Sequence, residues 1–424
     1  MFTTHLVEKV LSQLGINRSL TPAIISGVTI DSRKCGAGSM FFAFKGERTD
    51  GHDYIPELLE KGVWCAGSSG SFDHERYISV PDVLEFMTVL AKERRSQFRG
   101  RVIALTGSSG KTTTREMIVS MLRTMAKTVH ATTGNLNNHL GLPIVILNTP
   151  MNADYLVLEM GMNHASEIEH LVKTADPHFS VITNIGTAHI GNFNSQADLA
   201  KAKLEIFEFS KGVPVANIRD RYISEWVEKN KSTRNIKVYD MERSSQLSSV
   251  LPELPEYMLE NIHTASKIVE AAEGISPDPV KSYQNFEIPG LRGEIKVTGS
   301  RKFIVDCYNA NPESMKKSVE SFYKKYACAG ENKTYLILGS MFELGDFSKK
   351  MHGELVNYLK TLNLVERVFL IGCEFEKIRP DFLNEKKVLF LGDVADVAAV
   401  IPEEGVFLLK GSRGNRLERL FELL

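Results

Sequence analysis

The sequence predicts an α/β fold whose central sheet is mostly parallel, and two patterns support this prediction. Short apolar runs alternate with helical patterns in the middle of the chain, at residues 102–106, 155–159, 180–184 and 213–217. Continuous apolar runs separated by helical segments are typical of parallel strands that helices cover on both faces. The alternation returns in the last third of the chain, at residues 303–306, 334–339, 368–372, 388–392 and 406–410. We therefore expect two successive α/β sheets.

Chain length and breaks in the pattern predict three domains. A chain of 424 residues is too long for a single hydrophobic core. The polar segment 94–100 and the proline-containing segment 278–290 are the candidate linkers. The predicted domains are an N-terminal α+β domain at residues 1–97, a central P-loop-type α/β domain at residues 98–288 and a C-terminal Rossmann-like α/β domain at residues 289–424.

Two regions complete the predicted order of elements. The first domain carries short strand candidates at residues 28–30 and 40–44, and it ends in an amphipathic helix at residues 83–98. Residues 230–256 are polar, with paired serines and several prolines, and we expect them to form a loop or a small insertion.

Composition excludes several classes of function. The net charge of −1 gives no argument for nucleic acid or an anionic membrane as a partner. The five cysteines are scattered without the spacing of a metal site, which favours free thiols in a reducing compartment. No apolar run approaches the length of a membrane span, and the N-terminal segment does not resemble a signal peptide. We expect a cytoplasmic protein.

The most informative stretch is Leu-Thr-Gly-Ser-Ser-Gly-Lys-Thr-Thr at residues 105–113, between a strand pattern and a helix pattern. Its glycines let backbone N–H groups approach a phosphate, and the helix N-terminus adds partial positive charge. Lys111 suits the β- and γ-phosphates of a nucleotide, and the Thr112 hydroxyl suits Mg²⁺. A glycine turn that binds no ligand is the alternative.

Polar clusters also follow the next two predicted strands. Glu159 ends one strand and is a candidate Mg²⁺ ligand, or else a solvated carboxylate. His189 follows the next strand, where it is either a metal ligand or a core residue. Lys201 and Lys203 lie in a helical pattern and would ordinarily form a solvated face. The amide-rich segment 132–143 suits an oriented polar substrate, or an Asx-rich turn.

Two further clusters lie in the last predicted domain. Asp-Cys-Tyr-Asn-Ala-Asn-Pro at residues 306–312 and Lys-Gly-Ser-Arg at residues 410–413 each follow a predicted strand. An open α/β sheet places its ligand crevice at such strand ends. Each cluster taken alone could equally be a helix cap or a turn.

Taken in order along the chain, these segments resemble the Mur ligases, ATP-dependent amide-forming enzymes of peptidoglycan precursor synthesis. The resemblance covers all three predicted domains. Its motifs lie at residues 31–33, 50–52, 105–113, 134–143, 159–164, 184–189, 308–312, 338–345 and 410–413. Tyr-Asn-Ala-Asn-Pro at residues 308–312 is the most discriminating motif. It points to the branch whose substrates are UDP-N-acetylmuramoyl-tripeptide and D-alanyl-D-alanine.

The resemblance implies ATP and two Mg²⁺ ions, with Lys111, Glu159, His189 and Lys203 as catalytic residues. Thr112 and Glu159 would hold one Mg²⁺, and His189 and Lys203 would serve the second. Lys203 would act as a carbamate, because a bare ammonium repels Mg²⁺ whereas a carbamate resembles a carboxylate. The other implied nucleotide-binding residues are Gly107, Ser108, Ser109, Gly110, Thr113, Asn261, Arg292 and Asp306.

The resemblance also implies a substrate site that draws on all three domains. Ser32 would contact the UDP moiety, which makes the N-terminal domain a UDP-binding domain. The implied substrate-binding residues are Ser32, Arg33, Asn135, Asn137, Asn138, Tyr308, Asn309, Asn311, Lys410, Ser412 and Arg413. The chain departs from the family pattern at Thr264, Val305, Cys307 and Ser340.

The expected function is ligation of D-alanyl-D-alanine to the peptide carboxylate through an acyl phosphate, by a monomer. A Mur-type ligase with another amino-acid or dipeptide acceptor is one alternative, and a catalytically silent nucleotide-binding scaffold is another. Diaminopimelate and lysine both remain open as the third residue of the peptide.

Overall fold

The computed structural model describes residues 1–70, 72–252, 254–286, 290–330, 333–382, 385 and 387–424. Within these ranges the chain forms three units of helices and sheets, as the sequence predicts. The expected boundary between residues 288 and 289 lies outside the described residues. We refer below to an N-terminal unit before residue 98, a central unit from residue 101 and a C-terminal unit from residue 290.

The N-terminal unit is built on a parallel sheet in the order β3-β4-β5-β6, beside an antiparallel pair of β1 and β2. Its longest helix, α3, begins at Asp82, whose side chain accepts hydrogen bonds from the N–H groups of Leu84 and Glu85. The elements are β1 Phe2–Thr3, α1 Thr4–Gln13, β2 Ile24–Ile25, β3 Val28–Thr29, β4 Met40–Phe42, α2 Ile55–Glu60, β5 Trp64–Gly67, β6 Tyr77–Ser79 and α3 Val83–Gln97.

The central unit contains, in its described residues, a parallel sheet in the order β12-β11-β10-β7-β9-β8. Strand β7 lies between β10 and β9 and is parallel to both, so the loops after β7 and β10 leave the same edge of the sheet side by side. The elements are β7 Arg101–Thr106, α4 Lys111–Thr124, β8 Val129–Ala131, α5 Gly141–Leu147, β9 Tyr155–Glu159, α6 Glu167–Ala175, β10 Phe179–Ile182, α7 Gln196–Glu208, β11 Val213–Asn217, α8 Arg221–Asn230, β12 Lys237–Tyr239, α9 Glu256–Glu273 and α10 Pro279–Gln284.

One prediction for the central unit is wrong. Residues 230–256 are not only a loop or an insertion, because β12 pairs with β11 as the outer strand of the sheet. Lys237 and Val238 are exposed and only Tyr239 is buried, so this strand lacks the apolar run that identifies a buried one.

The C-terminal unit has a sheet in the order β13-β14-β18-β15-β16-β17, with β13 antiparallel and the other described strands parallel. The loops after β14, β15 and β18 therefore leave one edge together. The elements are β13 Glu294–Thr298, β14 Ser300–Asp306, α11 Pro312–Phe322, β15 Thr334–Gly339, α12 Ser348–Lys360, β16 Arg367–Ile371, α13 Cys373–Ile378, β17 Val388–Leu391, α14 Val394–Val400, β18 Glu404–Lys410 and α15 Leu420–Leu423.

Both outer units pack on the central one. Helix α3 lies against α5 and α6, and the apolar residues of these helices belong to one core cluster. Helix α11 lies against α9, and the loops at Ile190–Asn192 and Gly345–Phe347 meet. In the described ranges, no helix combines the length and apolar character needed to cross a membrane.

Candidate active site

A cavity of about 320 Å³ lies where the strand ends of the central and C-terminal sheets face each other. Most of the residues that the sequence singles out line it together. These are Ser108, Ser109, Gly110, Lys111, Thr112, Thr113, Asn137, Asn138, Glu159, His189, Asn261, Arg292, Asp306, Tyr308, Asn309, Asn311 and Lys410. The structure thus gathers into one cavity segments that are up to about 300 residues apart in sequence.

The loop between β7 and α4 has the geometry of a phosphate cradle. Gly107 and Gly110 adopt φ values of +152° and +75°, which side chains disfavour. A Cβ atom on Gly107 would lie 1.9 Å from Thr183 Oγ1, and one on Gly110 would lie 2.2 Å from Asn261 Oδ1. Both positions require glycine, and helix α4 begins directly after the loop, so its free N–H groups point toward the cavity.

Lys111 closes the cradle from the first turn of α4. Its Nζ donates a hydrogen bond to the carbonyl of Gly107 at 2.7 Å. Burial lowers the pKa of Lys111, while the nearby Glu159 carboxylate opposes this shift. An anionic phosphate in the cavity would favour the charged ammonium.

The loop after β10 supports the phosphate loop from the side. Asn184 Oδ1 accepts hydrogen bonds from the N–H and hydroxyl of Ser109, at 3.1 and 3.2 Å. The N–H of Gly186 donates to the Ser108 hydroxyl at 2.8 Å, and the Thr183 hydroxyl donates to the Ser109 carbonyl at 2.6 Å. These contacts fix both serines of the phosphate loop.

Glu159 lies at the end of β9 with its two carboxylate oxygens engaged. Oε1 accepts from the Asn137 amide at 2.9 Å, and Oε2 lies 3.1 Å from Arg115 Nη1. The side chains of Glu159 and Arg115 are each only 4 % exposed. Each carboxylate oxygen has two lone pairs, so Glu159 retains capacity for another ligand.

Lys203 and Lys201 occupy opposite environments on α7. Lys203 is 1 % exposed and makes no ion pair with any described residue. Burial and the nearby Lys111 ammonium hold the pKa of Lys203 well below its usual range. Lys201 has 79 % of its side chain exposed and lies 3.5 Å from Asp198. The solvated-face interpretation therefore applies to Lys201, whereas Lys203 is a buried amine.

His189 lies on the loop after β10, with its Nδ1 2.7 Å from Oε2 of Glu343 in the C-terminal unit. Within the described part of the chain, no group of three or more His, Cys, Asp or Glu side chains is arranged to hold a metal ion. A metal site here would therefore need ligands beyond these residue types, such as the Thr112 hydroxyl, phosphate oxygens or a modified Lys203.

The other wall of the cavity joins α9 to the C-terminal sheet. Arg292 donates to the Thr112 hydroxyl at 3.0 Å and stacks over the Tyr308 ring at 4.0 Å. Burial lowers the pKa of Arg292. Lys410 at the end of β18 pairs with Asp306 at the end of β14, at 2.9 Å, with both side chains largely buried. This wall is cationic and rigid, which suits a nucleotide.

Five of the sequence-predicted substrate residues, together with Lys203 and Gly107, do not line the cavity. Gly107 and Lys203 lie directly behind its wall, in contact with or near Lys111. Ser412 supports the wall, because its hydroxyl accepts from the Phe342 N–H at 3.0 Å. The others are Asn135, Arg413 and, in the N-terminal unit, Ser32 and Arg33.

Two motifs of the N-terminal unit form tight turns. Asp31 caps the turn at Ser32–Lys34 and pairs with the Arg33 guanidinium at 2.8 Å. That contact lowers the pKa of Asp31 to about 2. Asp50 caps the turn at Gly51–Tyr54 and lies 2.6 Å from His52 Nδ1.

Sequence reasoning missed several residues of the site. Glu313 reaches the central unit from the first turn of α11, and Glu343 reaches it from the loop after β15; neither was named as a site residue. Arg115 was detectable, because it lies four residues after Lys111 and thus on the same face of α4.

The departures from the family pattern have local explanations. The Thr264 hydroxyl lies 3.2 Å from the buried Tyr239 hydroxyl. The Ser340 hydroxyl donates to the carbonyl of Ile371 and accepts from the N–H of Glu374, which ties β15 to the β16–α13 turn. Val305 and Cys307 are buried in the core behind β14.

Family models cover most of the chain. "Mur ligase middle domain" matches residues 105–275, "Mur ligase, glutamate ligase domain" matches residues 292–413, and "Mur ligase family, catalytic domain" matches residues 24–95. The chain belongs to the Mur ligase family. A curated Mur ligase from Bacillus subtilis (strain 168), UDP-N-acetylmuramoyl-tripeptide–D-alanyl-D-alanine ligase, is 33 % identical over 438 residues. The alignment covers 95 % of this chain and 94 % of that protein.

Solved Mur ligase structures share the whole architecture. MurF from Acinetobacter baumannii superimposes with a TM-score of 0.83 at 27 % identity, covering 99 % of this chain and 98 % of that one. MurF from Thermotoga maritima, solved in complex with ADP, gives a TM-score of 0.78 at 27 % identity, covering 94 % and 96 %. The three-unit fold is therefore that of these ligases.

Proposed function

We propose that this chain is an ATP-dependent ligase that joins D-alanyl-D-alanine to the terminal carboxylate of UDP-N-acetylmuramoyl-tripeptide. The supporting observation is the cavity at which the phosphate loop faces Tyr308, Asn309 and Asn311. A nucleotide phosphate held at Lys111 would lie opposite a polar wall able to orient a peptide. The similarity to ligases of that name over nearly the whole chain agrees with this reaction.

The first step would transfer the γ-phosphoryl group of ATP to a carboxylate oxygen of the peptide, and ADP would leave. Lys111, Arg292 and the N–H groups of α4 would stabilise charge on the phosphate oxygens. Without these cations, the anionic carboxylate and the triphosphate would repel each other. The product of this step is an acyl phosphate.

In the second step the amine of D-alanyl-D-alanine would attack the acyl carbon, lose a proton and displace inorganic phosphate. An acyl phosphate is vulnerable to water, so the facing walls of the cavity must exclude it. We propose that Asn137, Asn138, Tyr308, Asn309 and Asn311 orient the two substrates.

We also propose two Mg²⁺ sites, which would neutralise phosphate charge. Thr112 and Glu159 would hold one ion, and His189 and a carbamylated Lys203 would hold the other. Burial and the nearby Lys111 lower the pKa of Lys203, which favours carbamylation, because only a neutral amine reacts with CO₂.

The remaining proposals concern the substrate ends and the state of the protein. Ser32 and Arg33 would contact the UDP end of the substrate from the N-terminal unit. Asn261 would contact the adenine, since it lines the cavity beside Gly110. We further propose a cytoplasmic monomer.

Phosphate release from ATP, measured with each substrate omitted in turn, tests the reaction. A ligase needs both the UDP-tripeptide and D-alanyl-D-alanine for release. Release with another acceptor in place of D-alanyl-D-alanine would favour a Mur-type ligase of different specificity. Release that depends on neither substrate, or no release at all, would favour a nucleotide-binding scaffold.

A further inference from the structure

One carboxylate of the C-terminal unit reaches across to the loop that supports the phosphate loop. Glu313 lies in the first turn of α11, and both of its oxygens lie 3.1 Å from the N–H of Thr187. The Thr187 hydroxyl also donates to Glu313 Oε2 at 2.9 Å. This charge-assisted contact joins residues of two units that are 126 positions apart.

The loop at Thr187 is in turn tied to the phosphate loop. The N–H of Gly186 donates to the Ser108 hydroxyl, and Asn311 Nδ2 lies 3.4 Å from the Ser108 carbonyl. Ser108 therefore contacts both the loop that Glu313 holds and the residue that caps α11. Movement of α11 away from the central unit would break both contacts together.

Gly186 provides the space for this carboxylate. A Cβ atom at position 186 would lie 2.9 Å from the carboxylate carbon and Oε2 of Glu313. The backbone of Gly186 is not in the left-handed region, so conformation alone would allow alanine there. The glycine is therefore explained by the approach of Glu313.

The same loop is also held from its other end. The N–H of Gly191 donates to the Glu343 carbonyl at 3.0 Å, and His189 contacts the Glu343 carboxylate. The C-terminal unit thus contacts residues 186–191 at two points, through Glu313 and through Glu343. A negative charge at the start of a helix is also favourable in itself, but that effect requires no contact with Thr187.

We infer that Glu313 is a positioning residue that couples docking of the C-terminal unit to the geometry of the phosphate loop. This inference rests on the proposed function for its kinetic consequence. In the docked arrangement Glu313 holds the loop at Gly186 and Thr187, and that loop holds Ser108. Without Glu313 the central unit still binds ATP, but the docked arrangement in which the phosphoryl group is transferred is populated less.

The test compares Glu313→Gln with Glu320→Gln, the same change on the same helix at a residue whose carboxylate lies 3.9 Å from the Lys316 ammonium. For Glu313→Gln we expect kcat to fall about tenfold or more, the effect of losing a charge-assisted hydrogen bond. The Kd for ATP should change less than about twofold, which is well below the change expected if ATP itself lost a charge-assisted hydrogen bond. Glu320→Gln should leave both values unchanged.

Hydrogen exchange of the peptide that contains Thr187 supplies a readout independent of turnover. In Glu313→Gln the Thr187 amide should exchange faster, whereas in Glu320→Gln it should match the unmodified protein. If the unmodified protein fails to ligate D-alanyl-D-alanine, the proposed function fails, and this exchange comparison alone decides the inference. An unchanged exchange rate would then overturn it.

Two other outcomes would overturn the inference in an active protein. One is an unchanged kcat, and the other is a loss confined to ATP affinity, which would make Glu313 only a support of the ATP site. Gly186→Ala gives a second route, because it should lower kcat in the unmodified protein but add little to Glu313→Ala. Losses that multiply would show that the two residues act independently, contrary to the inference.

Discussion

The two interfaces of the central unit differ in how deeply their charged side chains are buried. At the N-terminal interface, Arg94 and Arg95 are only 5 % and 7 % exposed and donate to backbone carbonyls of the central unit. At the C-terminal interface, Glu343 has 52 % of its side chain exposed, and it contacts His189, which lines the cavity. The first interface buries charged side chains almost completely, whereas the second includes a carboxylate that stays partly in solvent.

This difference indicates which unit can move. Separating α3 from the central unit would expose apolar helix faces to water and break the hydrogen bonds of two guanidinium groups, at a cost of several kcal/mol. Separating α11 would return solvent-accessible carboxylates and lysines to water, where they are well solvated. We expect the N-terminal unit to stay attached and the C-terminal unit to dock and release during turnover.

The largest effect on turnover should come from a substitution of Lys111 in the phosphate loop. Lys111→Ala removes the cation that faces the phosphates, so turnover should fall by about 10²–10³-fold. The thermal midpoint should stay close to that of the unmodified protein, since the Lys111 ammonium donates its hydrogen bond to Gly107 within its own loop. Turnover is measured by phosphate release at saturating ATP, with Lys201→Ala as control. Near-normal turnover in Lys111→Ala would contradict the site assignment.

The next effect distinguishes the buried lysine of α7 from the exposed one. Turnover of Lys203→Ala should fall by about 100-fold or more. Loss of a residue that merely supports a metal ligand already lowers activity by up to about 100-fold, and Lys203 would be a ligand itself. A short added carboxylate should partly restore turnover by occupying the vacated position. Lys201→Ala should lose little. The carbamate itself is measured by ¹³C NMR after exposure to ¹³CO₂, and its signal should be absent in Lys203→Ala.

Equal losses in the two lysine variants would remove the special role of Lys203. A carbamate signal that persists in Lys203→Ala would transfer the modification to another residue.

A third change tests the fixed interface and should affect stability rather than turnover. Arg95 donates to the carbonyls of Ala175 and Asp176, at 2.6 and 2.7 Å, where α6 ends. Arg95→Ala should lower the free energy of unfolding by about 3 kcal/mol, because two buried charge-assisted hydrogen bonds are lost. Denaturant unfolding measures this loss, with the exposed Arg99→Ala as control. Equal stability of both variants would show that the first interface is not the fixed one.

The smallest effect should come from the surface of the N-terminal unit. Arg33→Ala should weaken binding of the UDP-tripeptide by about fivefold, as expected for one solvent-exposed charge. Calorimetry measures this affinity, and the affinity for ATP in the same variant is the control. An unchanged affinity for the UDP-tripeptide would place the UDP end of the substrate elsewhere.

In the two larger sheets the sequence predicted the described inner strands and the edge strand β17, and it missed the edge strands β8, β12 and β13. The run 155–159 is apolar up to its last residue, Glu159, and the observed strand β9 has the same bounds. Strand β13 lies at an edge, and its apolar Ile295 and Val297 are 54 % and 71 % exposed, so its pattern lacks a buried face. Burial produces the signal, and edge strands therefore give little.

In the candidate site, residues of a local motif were predictable, and contacts between separate units were not. Residues on one local motif, such as Gly107 to Thr113, were predictable because a phosphate cradle requires them in that order. The contacts of Glu313 with Thr187 and of Glu343 with His189 depend on how two separate units dock. No spacing within either segment indicates such a contact.

The central claim is that the peptide carboxylate is activated by phosphoryl transfer before the amine attacks. The most direct test uses UDP-tripeptide whose terminal carboxylate carries ¹⁸O, together with ATP and D-alanyl-D-alanine. In the proposed reaction one carboxylate oxygen becomes the bridge to phosphorus and leaves with it. Mass spectrometry should therefore find one ¹⁸O in the released inorganic phosphate and the other in the new amide. Unlabelled phosphate, or label in AMP, would contradict this account.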